Sequence, residues 1–217
     1  MNQLILSFLK IFFRNKRAIF FVLFLPPGLF LILSFMRLEQ VIQFAPGLDY
    51  TDFLLPGIMG YAIMQMGIYT AAYSIIDFRR QKVLKRLSVT PLSGPRFLLA
   101  HSLARFIMAM IQVAVLLGIG FLVFGSRPSG RAVFLPLVIF AGSMVFLNFG
   151  HMIASLANDY EAAAPYTAIV GLGLGFLGDV FFPVANLPIL LQKIAVFLPM
   201  APLAAIMRFT LFGVGGE

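Results

Sequence analysis

Cationic side chains are concentrated in residues 77–96, whose sequence is DFRRQKVLKRLSVTPLSGPR. Guanidinium and ammonium groups bind carboxylates and phosphates, so this cluster can attract an acidic protein surface or anionic lipid head groups. Val83, Leu84 and Leu87 form a small apolar face among the cations, and Pro91 ends any helix there. Two interpretations stay open: a positive loop that only sets topology, and a short amphipathic helix that docks into a cytoplasmic partner.

Three glycines, Gly173, Gly175 and Gly178, form a literal G-x-G-x-x-G. Nucleotide binding by this motif requires a preceding strand and a following helix, whereas here it lies inside an apolar run. Gly171 and Gly175 also form G-x-x-x-G, which permits close approach of helices in a membrane, so packing is the favoured interpretation. The sequence contains no G-x-x-x-x-G-K-[ST]. We therefore expect that this chain does not itself bind and hydrolyse ATP.

Metal or nucleophile chemistry has little support. The sequence has no cysteine, and its two histidines, His101 and His151, are far apart without an adjacent carboxylate, so no metal site is expected. His101 and Arg105 are expected on cytoplasmic turns of a span, reaching the interface. Asp179 is expected near the outer end of a span, in reach of water. Polar residues within spans favour hydrogen bonds between helices, with substrate contact as the alternative: Gln65, Gln112, Asn148 and His151.

The composition is that of an integral membrane protein. Apolar residues make up 61% of the 217 residues, charged residues only 11%, and the mean hydropathy is +0.99. Long apolar runs without strict alternation predict spanning α-helices, because backbone polar groups in hydrocarbon must be paired internally. The formal net charge of +8 would suggest nucleic-acid binding in a soluble protein. In a membrane protein it is better explained by cationic loops, and no nucleic-acid partner is expected.

The apolar runs predict an all-α polytopic fold, a single transmembrane domain over residues 1–217. Five full spans are expected at these positions: 18–35, 53–76, 97–124, 133–156 and 165–182. Prolines predict bends in the first span, at Pro26-Pro27-Gly28, and in the second, at Pro56-Gly57. The first apolar run lacks a small-residue cleavage site and is therefore expected to be retained as a span.

Residues 2–17 carry a helical stripe ahead of the first span. One face is apolar and consists of Leu4, Ile5, Phe8, Leu9, Phe12 and Phe13. The opposite face is polar and consists of Gln3, Ser7, Lys10 and Arg14. This pattern predicts an amphipathic helix in the membrane interface, with the start of the first span as the alternative.

Orientation follows from the distribution of Lys and Arg in short loops. Ten cations lie on one side: Lys10, Arg14, Lys16, Arg17, Arg79, Arg80, Lys82, Lys85, Arg86 and Arg96. Three lie on the other side: Arg37, Arg127 and Arg131. This places the N-terminus and the 77–96 loop in the cytoplasm.

Residues 183–212 do not have the pattern of an ordinary span. Prolines at 183, 188, 199 and 202 leave two apolar pieces, 189–198 and 203–212, each about 15 Å long at about 1.5 Å per residue. Half-length helices predict a re-entrant or surface-lying hairpin on the non-cytoplasmic face. One broken span over 188–212 is the alternative.

A specific resemblance rests on the residues that follow the apolar face. Lys85-Arg86-Leu87-Ser88-Val89-Thr90-Pro91-Leu92-Ser93 resembles the K-R-L-x-x-T-P-L-S segment of type-2 ABC exporter permeases, the drug and polysaccharide exporter group. The amphipathic N-terminal helix and the proline in the first span agree with it. So do several later features, in order: Leu55-Pro56-Gly57-Ile58, Phe181-Phe182-Pro183, Leu187-Pro188, Pro199 and Arg208.

The resemblance implies a permease subunit that moves a lipophilic drug-like, lipid or glycan substrate out of the cytoplasm by alternating access. It implies pairing with a second permease, a copy or a paralogue, and with two ATP-binding cassette subunits, surrounded by membrane lipids. ATP and Mg²⁺ belong to those partner subunits, and no cofactor is expected in this chain. Ten residues are implied in coupling to the ATPase: Asp77, Arg79, Arg80, Val83, Leu84, Lys85, Arg86, Leu87, Thr90 and Pro91.

In that family the cations of the coupling helix meet acidic groups of the partner, and its apolar residues fill a groove. Two departures stand out. The family's usual acidic-arginine-acidic start and glycine are replaced here by Asp77 and Lys82. The family has six spans, whereas this chain reaches Glu217 after the predicted hairpin, so the sixth span is expected to be missing or truncated.

Two other classes of function remain as alternatives. An ATP-independent secondary transporter or channel would need an internal repeat, which the sequence does not show, and intramembrane carboxylates are scarce. A membrane anchor or assembly protein would use the basic loop only for docking.

Overall fold

The computed structural model describes residues 1–36, 49–87, 89 and 92–213, and these residues form helices and connecting turns without a strand. The helices are α1 Asn2–Arg14, α2 Lys16–Ile19, α3 Leu25–Phe35, α4 Tyr50–Gln65, α5 Ala71–Arg80, α6 Val83–Leu87, α7 Gly94–Phe124, α8 Leu135–Leu156, α9 Tyr160–Leu177, α10 Ile189–Phe197 and α11 Met200–Phe212. The all-α fold is confirmed. The predicted polar loop with Arg37 lies outside the described residues.

Within the described residues, three continuous helices are long and apolar enough to cross a membrane: Tyr50–Arg80, Gly94–Phe124 and Gly130–Leu156. The pair α10 and α11 would make a fourth if it is one bent span. A polytopic membrane fold is therefore confirmed, while the count of five spans stays a prediction. The apolar helix at the predicted first span is shorter, Phe20–Phe35. The predicted fifth span is displaced, because α9 starts at Tyr160, where Asp159 caps it, and ends at Leu177.

The helix Tyr50–Arg80 is mostly buried and lies at the centre of the bundle, in contact with α3, α7, α8, α9 and α11. A π-helical turn, Met66–Thr70, joins α4 to α5 within it. Such wide turns break the regular hydrogen-bond ladder and frequently occur at functional sites. A second π-helical turn, Phe20–Phe24, directly precedes Pro26 and Pro27. The two prolines thus lie within a continuous helix, Phe20–Phe35, and their missing N–H groups leave a carbonyl group of the preceding π-helical turn without its helical partner.

The amphipathic helix α1 is shorter than predicted and ends at Arg14. Phe8 and Phe12 are buried, and the Phe8 ring packs against Phe78 and Phe97 at centroid distances of 5.7 and 5.4 Å. Phe13, predicted on the same face, is instead exposed. The apolar stripe of α1 therefore contacts the protein's own helices, α5 and α7, which a stripe pattern cannot distinguish from contact with lipid.

The last two helices confirm the predicted break. α10 and α11 are separated by Pro199 and bent by 80° relative to each other. α11 packs against α4 and α8 with Leu203, Met207 and Leu211 buried. α11 is thus part of the bundle.

Contacts between connecting segments define two ends of the bundle. α1, residues 77–87, Phe97 and residues 154–160 meet at one end, which we call the basic end. At the other end, Ser126 donates to Asp52 at 2.6 Å and the Ser129 amide donates to the Leu211 carbonyl at 2.6 Å. Which end faces the cytoplasm stays a prediction.

Candidate coupling site

Asp77, Arg79 and Arg80 do not lie in a loop, as the sequence predicted, but on the last turn of α5. The helix continues past Ile76 because nothing in this stretch breaks it, and polar side chains are accommodated once the helix leaves the apolar layer. The chain then turns at Gln81 and Lys82, where Lys82 has a left-handed φ of 56°. This turn, strained for a side-chain-bearing residue, separates α5 from the five-residue helix α6.

Arg79 binds the carboxyl end of α8. Its Nη1 donates to the Ala157 carbonyl at 2.9 Å and its Nη2 to the Ala154 carbonyl at 2.8 Å. The last carbonyl groups of a helix have no partner within it and carry partial negative charge. Arg79 therefore joins the end of the central helix to the loop between α8 and α9.

Asp77 and Arg80 contact the start of α9. The Tyr160 hydroxyl donates to Oδ1 of Asp77 at 3.0 Å, and Gln81 donates to Oδ2 at 2.8 Å. The Arg80 guanidinium lies 4.9 Å from the centroid of the Tyr160 ring, a cation–π distance. We call Asp77, Arg79, Ala157 and Tyr160 the latch.

The helix α6 packs its apolar side on its own chain. Val83, Leu84 and Leu87 are half-buried against the core, whereas the side chains of Lys85 and Arg86 are exposed. Arg86 donates to the Gln81 carbonyl at 3.1 Å. The surface that α6 presents outward is therefore cationic. The predicted role of its apolar residues in a partner's groove stays a prediction, and Thr90 and Pro91 lie outside the described residues.

A cluster of polar side chains is buried beneath α1. The sequence had predicted two of them at the membrane interface. His101 is fully buried and Arg105 is 8% exposed, so the predicted interfacial position is wrong for both. The two histidines are also neighbours: Nε2 of His151 lies 3.4 Å from Nδ1 of His101, whose Nε2 is 2.8 Å from the Ser74 hydroxyl. Folding brings together helices α7 and α8, which sequence distance cannot reveal. No group of three or more metal-binding side chains occurs within the described residues.

Two glycines of α9, Gly171 and Gly175, lie where another helix packs closely. The G-x-G-x-x-G motif lies on α9 and its end, without the preceding strand that nucleotide binding needs. A Cβ at Gly171 would collide with the Tyr69 ring, and one at Gly175 would lie 3.3 Å from Tyr61. The packing interpretation is confirmed.

The polar residues within spans are only partly paired between helices. Gln112 donates to the Val22 carbonyl on a different helix. Gln65 instead donates to Tyr61 at 2.8 Å and Asn148 to the Met144 carbonyl at 2.9 Å, both within their own helix. The expectation of interhelical bonds is therefore right for Gln112 and His151 and wrong for the other two.

At the opposite end, Asp179 does not simply reach water. It forms a salt bridge with Arg208, which is 5% exposed and also donates to the Phe53 carbonyl at 3.2 Å. The Arg208 guanidinium lies 3.8 Å from the centroid of the Phe53 ring. Sequence reasoning missed this pair, because its members are on α11 and on the turn after α9. A cation in the middle of an apolar helix was the available signal.

Together, the apolar bundle and its basic end define a multi-pass α-helical membrane protein with an exposed cationic surface. The family model described as "ABC-2 family transporter protein" matches residues 33–217. The chain therefore belongs to this family, in agreement with the resemblance of its basic segment.

Two curated relatives show what the chain is similar to. It is 25% identical over 151 residues to the probable multidrug ABC transporter permease YbhR of Escherichia coli K12, over 69% of this chain and 40% of that protein. It is 34% identical over 79 residues to nodulation protein J of Rhizobium leguminosarum bv. viciae, over 36% of this chain and 30% of that protein. The matches thus span less than half of the length of these relatives.

Proposed function

We propose that this chain is the permease subunit of an ATP-driven exporter in a prokaryotic plasma membrane, with its basic end in the cytoplasm. Family membership and the similarity to a permease support this assignment. A separate ATP-binding cassette subunit binds and hydrolyses ATP with Mg²⁺, and a second permease, a copy or a paralogue, completes the pathway. The cargo is a lipophilic drug-like, lipid or glycan molecule.

The observation that carries the proposal is the outward cationic side of α6. Lys82, Lys85 and Arg86 are exposed next to a helix whose apolar side is already seated on its own chain. An acidic surface of the ATP-binding subunit fits this side by charge complementarity. The apolar residues Val83, Leu84 and Leu87 contact the partner only through their exposed edges.

The latch supplies a route for movement from α6 into the bundle. When the ATP-binding subunits close, they displace α6 and, through the short turn at Gln81 and Lys82, the end of α5. Arg79 and Asp77 pass this displacement to α8 and α9, because they are bonded to Ala157 and Tyr160. The helices then shift as rigid units and expose the substrate path alternately to the two sides of the membrane.

Charge reversal tests the proposal. Lys85→Glu combined with Arg86→Glu should lower co-purification of the ATP-binding subunit and ATP-dependent export by tenfold or more, since like charges that face each other at an interface cost several kcal/mol. Arg127→Glu, an exposed cation outside the basic end, is the matched control and should change neither. If the double variant is inserted at normal levels and both assembly and export are unchanged, the proposal fails. ATP-independent transport would favour a channel or secondary transporter instead.

A further inference from the structure

A cavity of about 600 Å³ lies at the basic end of the bundle. Its wall includes aromatic side chains of α1, of the central helix and of α9: Phe8, Phe12, Tyr69, Tyr73 and Tyr160. Cavities that hold small organic ligands are of this size and are lined mainly by apolar and aromatic groups with a few polar ones. Its place, between α1 and the basic ends of the spans, suits a ligand with an apolar body.

One charged side chain in this wall lacks a countercharge. Arg105 is 8% exposed, and its Nε has no hydrogen-bond partner in the described residues. Its guanidinium lies 5.6 Å from the centroid of the Phe12 ring. A guanidinium remains protonated in proteins, and a buried charge is normally paired because its desolvation is costly.

Carboxylates within the described ranges do not supply this pairing. The salt bridge found there joins Arg208 to Asp179, at the other end of the bundle. Asp77, which also lines the cavity, accepts hydrogen bonds from Tyr160 and Gln81. His101 and His151, which are close to Arg105, cannot serve as anions.

We propose that this cavity binds an anionic amphiphile, whose carboxylate or phosphate pairs with Arg105 and whose acyl or aromatic body lies against the rings of α1 and the central helix. Gln65, Thr70 and Ser74 add neutral polar groups to the wall. The site deepens the proposed function, since such a molecule can be either a resident lipid or the exported cargo. The shared chemistry, one anion on an apolar body, is what the cavity recognises.

The test measures binding to the purified permease in neutral detergent, without the ATP-binding subunit. The probes are a fluorescent long-chain fatty acid and its uncharged methyl ester. The wild-type protein should bind the acid at least tenfold more tightly than the ester. Arg105→Gln should remove this preference while ester binding persists, which shows that the cavity is still folded. Arg105→Lys should keep part of the preference, and Arg127→Gln should leave it unchanged.

Equal binding of acid and ester by the wild-type protein would overturn the proposal, and so would an unchanged preference in Arg105→Gln. Competition by phosphatidylglycerol but not by phosphatidylcholine would support the site and identify a membrane lipid as occupant. If neither lipid competes and the preference for the acid remains, the site is supported and its occupant is a single-chain cargo. Because the ATP-binding subunit is absent, failure here is distinct from failure of the α6 charge reversal.

Discussion

The Tyr160 hydroxyl donates a 3.0 Å hydrogen bond to Oδ1 of Asp77, which joins the first residue of α9 to the last turn of α5. The same ring receives the Arg80 guanidinium at 4.9 Å. One turn of the central helix is thereby held against the loop that connects α8 and α9. These contacts lie directly before α6, so they are placed to connect the proposed docking surface to the bundle.

Removing the guanidinium of Arg79 should uncouple the end of α5 from the end of α8. Arg79→Gln deletes the bonds to the carbonyl groups of Ala154 and Ala157. Hydrogen bonds from a charged donor contribute about 1.5–3 kcal/mol, so thermal unfolding in detergent should occur at a lower temperature. Export should fall severalfold, while the ATP-binding subunit still co-purifies.

Arg80→Gln is the control for that variant, since Arg80 is an exposed neighbour that makes only the ring contact described. It should have a smaller effect on unfolding. Loss of co-purification in Arg79→Gln, equal to that of the α6 charge reversal, would place Arg79 in the docking surface instead of the latch.

Tyr160→Phe should weaken the latch without removing the ring. The substitution deletes the hydroxyl that donates to Asp77 and keeps the aromatic face under Arg80. A double-mutant cycle with Asp77→Asn measures the coupling. If the bond contributes as expected, the two single changes will not add, with an interaction free energy of about 0.5–3 kcal/mol. Additive effects on unfolding would show that the two side chains act independently.

Neutralising Asp179 should destabilise the bundle at its other end. Asp179→Asn leaves the buried guanidinium of Arg208 without its countercharge. Breaking one side of a buried ion pair costs about 3–5 kcal/mol. Asn is the informative substitution, because Asp179 has a left-handed φ of 60°, which Asn tolerates, and its amide oxygen can still accept from the Val184 amide.

Asp179→Gly controls for the backbone at that position, since it removes the side chain and keeps the left-handed conformation accessible. Both variants should lower the unfolding temperature. An Asn variant as stable as the wild type would contradict the role of the charge.

Arg208→Met removes the cation and with it the need for a countercharge. The double variant Arg208→Met with Asp179→Asn should therefore be more stable than Arg208→Met alone.

Two glycines set the distance between the central helix and α8. A Cβ at Gly150 would overlap the Gly67 carbonyl oxygen, and a Cβ at Gly67 would lie 2.5 Å from the Phe146 Cβ. Gly150→Ala should therefore force the helices apart and lower stability by about 1–3 kcal/mol, as overpacking does.

Gly118→Ala is the matched control, because nothing lies within 4 Å of its added methyl group and alanine favours helices. It should leave thermal stability unchanged or slightly raise it. Equal stability of the Gly150 and Gly118 variants, measured by thermal unfolding in detergent, would show that the central helix and α8 pack less closely than described.

Hydropathy and proline positions predicted the ends of α7 and α8 and the break between α10 and α11 well. A spanning helix needs a long apolar run, and the sequence displays such runs directly. The cationic segment was recognised for the same reason, since charge clusters are local in sequence. The start of α9 was misplaced because the charged Glu161 in its first turn interrupts the apolar run.

The sequence by itself determined that this protein is an α-helical membrane protein with a basic loop, because an apolar run and a cation cluster act through local composition. Only the tertiary structure decided what Asp77, Arg79, Arg105 and Arg208 contact. A charged side chain in an apolar bundle must find its partner across helices, and that partner is far away in sequence. For the basic segment, folding therefore placed Asp77, Arg79 and Arg80 on the central helix and left α6 as the outward surface.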